Sequence, residues 1–314
     1  MTALPSLGLI SHGTSSPEGQ ALIEALAAAV ADDLRTRGLV GEVMLGHVDV
    51  QQPDVAEVLD RLPHDRPVVL VPLLLSPGYH VHVDLAEAVA QAGGPAAPNA
   101  PSAGDTATAS AASAGGSVAP SAPSAVAQAA RTDGADAPAR DIRLAPTLGP
   151  DPRLATILAD RLPPLRDGDE VVLAAAGSSD ERANESCREM GQMLSHEIGR
   201  PVAVGFHAGG GVKLKGIVEQ KFSQDEERGE WLVLANYLLA PGFFDDLGRG
   251  LIADTGSVLA PPLLTRQSEE QPPVSSSSAQ PDPGSAISES DIIPGGSVPN
   301  LLVDIVRDRF LAVL

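Results

Sequence analysis

The sequence predicts an α/β protein of two similar lobes, each a four-stranded parallel sheet flanked by helices, arising from an internal duplication. Three observations lead there. Short apolar runs alternate with amphipathic stretches along the 314 residues, the pattern of strands joined by crossover helices. The strand-like runs are apolar throughout rather than alternating, so both faces of each sheet are covered. The second half also repeats the first. Residues 9–16 (LISHGTSS) lie opposite 173–180 (LAAAGSSD), and 73–80 (LLLSPGYH) lie opposite 237–244 (YLLAPGFF). Likewise 144–162 (LAPTLGPDPRLATILADRL) lies opposite 259–264 (LAPPLL) and 298–310 (VPNLLVDIVRDRF), a repeat far longer than a solenoid unit.

In the first half, strands are expected near 7–11, 42–48, 68–75 and 142–145, with helices near 17–37, 53–62, 83–92 and 152–162. Pro17, Pro53 and Pro152 each stand where a first helical turn tolerates a missing N–H. In the second half, strands are expected near 170–175, 201–206, 231–238 and 257–259. Helices are expected near 181–198, 212–227, 245–253 and 299–313. The lobes then span 1–166 and 167–314.

Two tracts interrupt this pattern. Residues 94–140 are mostly Ala, Ser, Gly and Pro with no aromatic residue, and 266–299 carry the Ser275–Ser278 run with several prolines. Neither can bury a core, and both read as disordered insertions, low in loop-closure cost. The remainder is enough for two compact units of roughly 115 residues.

Composition removes several function classes. With 21 basic and 41 acidic residues the chain carries a formal charge of −20, which argues against a nucleic-acid partner. A single cysteine, Cys187, excludes an intrachain disulfide and Cys-based zinc or iron–sulfur sites, and fits a reducing compartment. The longest apolar run, 68–75, is too short to span a bilayer, and no charged leader precedes 4–10. A cytoplasmic protein without a membrane partner is the expectation. Aromatic residues at 3% leave little for a flavin or base-stacking platform.

Function in open parallel sheets collects at the carboxyl ends of the strands. The first strand runs into Ser11-His12-Gly13-Thr14, and the third into Ser76-Pro77-Gly78-Tyr79-His80. If those strands are neighbours, His12 and His80 stand on adjacent loop tips, and two imidazoles suit Fe²⁺ or Co²⁺ while leaving coordination positions for a substrate. The plainer alternative for each is a polar loop residue. His82 joins them only if the segment is extended. Asp84 reads as a helix-start residue, His47 as a rim residue and Asp49 as a carboxylate for a hydrated ion, whereas His64, His196 and His207 read as surface or packing histidines.

The motifs SHGT, GHVDVQQPDVAEVL, VPLLLSPGYHVHVDLAEAV and LAPTLGPDPRLATILADRL resemble the sirohydrochlorin chelatases, class II tetrapyrrole metal chelatases. The resemblance covers the ordered first half and, more loosely, the second. It implies two similar α/β chelatase lobes around a cleft, and a lyase that inserts Co²⁺ on the route to cobalamin or Fe²⁺ to make sirohaem. It assigns the metal to His12 and His80, both also expected to accept pyrrole protons. Gln52 stands where the family usually has an acid before Pro53, which leaves Asp49 as the nearer carboxylate.

Ala176 and Phe244 occupy the duplicated positions of His12 and His80, so the second lobe is expected to be structural and substrate-holding. Its Lys213, Lys215 and Arg249 are the candidates for receiving substrate carboxylates, with solvated helix charges as the alternative. Ser11, Gly13, Gly78 and Tyr79 are the expected substrate contacts in the first lobe. No organic cofactor or ATP is required, the divalent metal being a substrate alongside sirohydrochlorin. One fused chain holds a complete cleft, so a monomer suffices. A non-catalytic metal or tetrapyrrole carrier of the same fold is the competing reading. Histidine-phosphatase chemistry lacks arginines beside His12, and an FMN site lacks flanking aromatics.

Overall fold

A computed structural model describes residues 3–78, 80–94, 140–224, 231–266 and 296–314. Tyr79 and most of both predicted insertions lie outside the described residues. The side chains of His80 and His82 are not described either.

The first lobe holds β1 (Ser6–Ser11), β2 (Val43–His47), β3 (Val68–Pro72) and β4 (Ile142–Leu144). Its helices are α1 (Pro17–Thr36), α2 (Val55–Arg61) and α3 (Ala86–Gln91), followed after β4 by α4 (Pro152–Arg161). The second lobe runs β5 (Glu170–Ala175), α5 (Glu181–Ile198), β6 (Val202–Phe206), α6 (Leu214–Gln224), β7 (Leu232–Tyr237), α7 (Phe243–Ile252) and β8 (Val258–Leu259). A short antiparallel pair, β9 (Thr265–Arg266) with β10 (Gly296–Ser297), then leads into α8 (Asn300–Leu311). The two sheets are parallel and four-stranded with matching orders, β2-β1-β3-β4 and β6-β5-β7-β8.

Local chemistry explains most helix starts. Ser16 caps α1 by accepting from the Gly19 amide at 3.2 Å, with Pro17 in the first turn. Asp151 and Asp180 cap α4 and α5 through the amides of Arg153 and Arg182. Pro53 departs from expectation: Asp54 is the cap of α2, accepting from Glu57 at 2.8 Å, and Pro53 lies outside the helix. The single helix expected over 83–92 is instead a wide π-type turn, His80–Leu85, followed by α3. Asp84 lies within that turn, and Leu85 precedes α3 without a side-chain cap. The β9–β10 pair was not foreseen.

The core has three parts. Each sheet turns its outer face to its own lobe, Val58, Leu62 and Leu85 packing over the first sheet and Leu214, Val218 and Ile252 over the second. The inner faces share one large core. It joins Leu7 and Val71 of the first sheet to Leu173 and Ala235 of the second, with α1, α4, α5 and α8 between. The lobes also exchange their last helices. α4 packs on α5 and β7, while α8 packs on α1, α4 and β3. Among the described residues no helix is long and apolar enough to cross a membrane.

Candidate active site

The carboxyl ends of both sheets open into one cleft of about 700 Å³ between the lobes. Each lobe's first-strand loop meets the third-strand loop of the other. A side-chain carbon at Gly19 would collide with the Pro241 carbonyl, and one at Gly242 would stand 3.1 Å from Thr14 Oγ1. On the other side, a carbon at Gly78 would lie 3.6 Å from Ala183 Cβ and 3.7 Å from Ser178 Oγ. The Tyr237 hydroxyl crosses between lobes to donate to the Leu75 carbonyl at 2.9 Å.

His12 is exposed and lines this cleft, immediately after β1. β1 and β3 pair directly, so the strand leading to His80 is the neighbour of the strand leading to His12. His80 opens the turn at the end of the β3 loop. Gly13 is required where it stands: φ is +94°, and a side chain there would strike the Asp49 carbonyl. The His12 carbonyl accepts from the Asp49 amide and the Ser11 carbonyl from the Val48 amide, both at 2.9 Å, so the two loops are pinned together.

Beneath them the Ser11 hydroxyl is hydrogen-bonded to His47 Nδ1 at 2.8 Å, both side chains buried. Burial holds the His47 pKa below its ordinary value, against a weaker opposite pull from Glu24. His47 is therefore a buried support of the loop, where a rim residue was expected. The Asp49 carboxylate is occupied locally, accepting from the Val50 amide at 2.8 Å.

The second lobe repeats this frame without its imidazoles. Ala176 follows β5 as His12 follows β1; its carbonyl accepts from Ala208 at 2.9 Å, and that of Ala175 from His207 at 3.0 Å. The strand-end pair Ser11 with His47 becomes Ala175 with Phe206. Phe244 packs on the His207 ring with centroids 5.6 Å apart.

Among the sequence candidates, Ser11, His12, Gly13 and Gly78 line the cleft. Lys213, Lys215 and Arg249 are not among its lining residues. Lys213 donates to the Gly209 carbonyl, Lys215 pairs with Glu219 at 3.6 Å and Arg249 with Asp245 at 3.0 Å. No described lining residue is Lys, Arg, Asp or Glu. Besides His12 and the Asn184 amide, the polar lining is mostly hydroxyl and backbone, with Thr14 and Ser15 on one lobe and Ser178 and Ser179 on the other. Sequence reasoning passed over these hydroxyls, though their duplication in GTSS and GSSD was a readable signal. Among the described residues no three His, Cys, Asp or Glu side chains form a metal set.

Fold and cleft together define a bilobed parallel α/β chelatase architecture, with His12 in the cleft on the first lobe. Residues 6–164, about half of the chain, match the family model described as CbiX, and the chain belongs to that family, the sirohydrochlorin chelatases. A search of curated protein sequences gives no match.

Among solved structures, SirB from Bacillus subtilis with Fe³⁺ has a TM-score of 0.56 at 16% identity, covering 83% of this chain and 89% of that one. The sirohydrochlorin chelatase SirB from B. subtilis subspecies spizizenii, in complex with cobalt, gives 0.54 at 16% identity, over 83% and 88%. DR2241 from Deinococcus radiodurans, a multi-domain protein with structural similarity to chelatases, gives 0.50 at 23% identity, over 83% and 52%. These likenesses establish a shared fold.

Proposed function

We propose that this chain inserts Fe²⁺ or Co²⁺ into sirohydrochlorin, with His12 and His80 binding the ion and accepting the two pyrrole protons. The observation that carries the reading is the exposed imidazole of His12 in an interlobe cleft whose described lining holds no Lys, Arg, Asp or Glu, just past the strand adjoining the one that leads to His80. A cleft of about 700 Å³ falls within the range of small-molecule sites. Neutral imidazoles hold a borderline divalent ion firmly enough to replace water and weakly enough to release it. As the ion passes to the macrocycle, two N–H bonds break, two metal–nitrogen bonds replace them, and the freed imidazoles take up the protons.

The substrate's carboxylates need receptors on a chain of charge −20. Thr14, Ser15, Ser178 and Ser179 fit that role as donors, supported by loop N–H groups at Gly13 and Gly78. Lys213, Lys215 and Arg249, expected as carboxylate receptors, stand outside the cleft lining, and Lys215 and Arg249 are neutralised by Glu219 and Asp245. One chain provides both lobes, so a monomer has the whole site, and a reducing cytoplasm suits Fe²⁺.

The test is anaerobic incubation of sirohydrochlorin with Fe²⁺ or Co²⁺ at substoichiometric protein. Many turnovers, read by absorbance, are expected. Metallation or binding limited to one equivalent points to a carrier instead, and competition between the two ions gives the metal preference.

A further inference from the structure

Val50 is the one non-glycine residue among those described with a positive φ, 66°. A β-branched side chain disfavours that region because its Cβ crowds the backbone. The duplicated lobe shows the unstrained solution. Gly209, next to Ala208 as Val50 is to Asp49, has φ 67° within the same frame of loop hydrogen bonds. Burial does not compensate the valine, which is 59% exposed. It lines the cleft beside His12, and a side-chain carbon at Gly13 would lie 3.5 Å from its Cβ. A strained residue without packing to hold it points to a role outside the folded core.

The opposite lobe presents a counterpart. Phe243, the first residue of α7, lines the same cleft and is 73% exposed, its ring touching Phe244 edge-on at 5.3 Å between centroids. In a cleft whose described lining holds no Lys, Arg, Asp or Glu, these two side chains offer apolar surface to solvent from facing lobes. A flat, conjugated macrocycle with charged substituents at its edge is the ligand class that such surfaces match: apolar ring against apolar side chain, carboxylates outward to hydroxyls and water.

We propose that Val50 and Phe243 are substrate-positioning residues that hold the tetrapyrrole ring between the lobes, Val50 setting the ring over His12. The assignment rests on the chelatase reading. The copy's glycine has its own steric reason, since a side-chain carbon at Gly209 would strike the Ser178 backbone, whereas the histidine-bearing lobe has open space at this point and fills it with a valine. The contact is with the ring, so it governs capture of the macrocycle and leaves the ion's affinity alone.

The experiment compares wild type with Val50→Gly, Val50→Ala and Phe243→Ala. For each we would measure KM for sirohydrochlorin, kcat at saturating Co²⁺, Co²⁺ affinity without macrocycle, and thermal midpoint. All three variants are expected to raise KM about five- to tenfold, as loss of one apolar contact implies. Co²⁺ affinity should hold, and kcat should change less than KM. Val50→Gly should melt at or above the wild-type temperature, having relieved the backbone, while Val50→Ala, with its strain retained, should not gain. Unchanged KM in Val50→Gly overturns the proposal, as does a rise in KM accompanied by weaker Co²⁺ binding or a lower midpoint, which would mark a collapsed loop. If the wild-type chain itself does not metallate sirohydrochlorin, the chelatase reading fails first and visibly, and the ring contact falls with it.

Discussion

His12 and Ser11 are adjacent in sequence and opposite in environment: His12 is exposed in the cleft, while Ser11 is buried against His47. That alternation is the period of a strand carried one residue past its end. His12→Ala should therefore remove metal insertion, by about a hundredfold or more in kcat/KM, with the thermal midpoint nearly unchanged because the side chain supports no core. Near-normal turnover in this variant would eliminate the proposed metal site. His12 and the Gly13 beside it were legible because a strand-end motif is local. The Ser11–His47 pair was not, since it joins positions 36 residues apart and needs the β1–β2 register. Val50 was equally hidden, as no composition reveals a left-handed valine. The basic candidates show a third difficulty. A requirement for cations selected Lys215 and Arg249 from the sequence, yet a carboxylate one helical turn away engages each of them, Glu219 and Asp245 respectively.

At the scale of elements, strands and helices were readable to within a few residues at most ends, and the failures have physical causes. Pro53 suited a helix start in isolation, but Asp54 offers a carboxylate to the Glu57 amide and takes the cap. The exchange of α4 and α8 was invisible because the two are copies of one amphipathic design. An apolar stripe states that a helix is buried, not which sheet buries it. Phe310 is fully buried in the shared core, so Phe310→Ala should cost about 3–5 kcal/mol. Because α8 packs on the first lobe, denaturant unfolding followed there should shift as far as unfolding followed in the second lobe, and a shift confined to the second lobe would contradict the exchange. The long Ala/Ser/Pro tract has the opposite standing. Its described flanks almost meet, a side-chain carbon at Gly93 falling 4.0 Å from the Arg140 nitrogen. Replacing 95–139 by a short Gly/Ser linker should thus leave folding and turnover within about twofold of wild type. A larger loss in either would show that the tract contributes to the protein's work.

Over the whole molecule, the inner faces of the two sheets share one core, and that core places ionisable groups in the seam between the lobes. Cys187 on α5 and Tyr237 at the end of β7 both belong to that core. Burial pushes the Cys187 thiol up to about 11 from an ordinary value of 9.0, and raises the Tyr237 phenol well above its ordinary value, reinforced by Cys187 and Asp151. Both groups bind their protons more tightly folded than unfolded. Their contribution is complete below the unfolded pKa values and is lost as pH rises through the folded ones. The chain should therefore keep its stability to about pH 9 and lose it above, Cys187 alone accounting for about 2–3 kcal/mol by pH 11. Ionising Tyr237 would also abolish its donation to Leu75, so the seam between lobes should fail with it. Urea titrations at pH 8, 9.5 and 11, followed by probes in each lobe, make the check. One cooperative transition that weakens at alkaline pH is expected in both lobes, with Cys187→Ala flattening the pH dependence between 9 and 11. Lobes that melt apart, or a midpoint constant to pH 11, would mean that the shared core does not join the two halves into one folding unit.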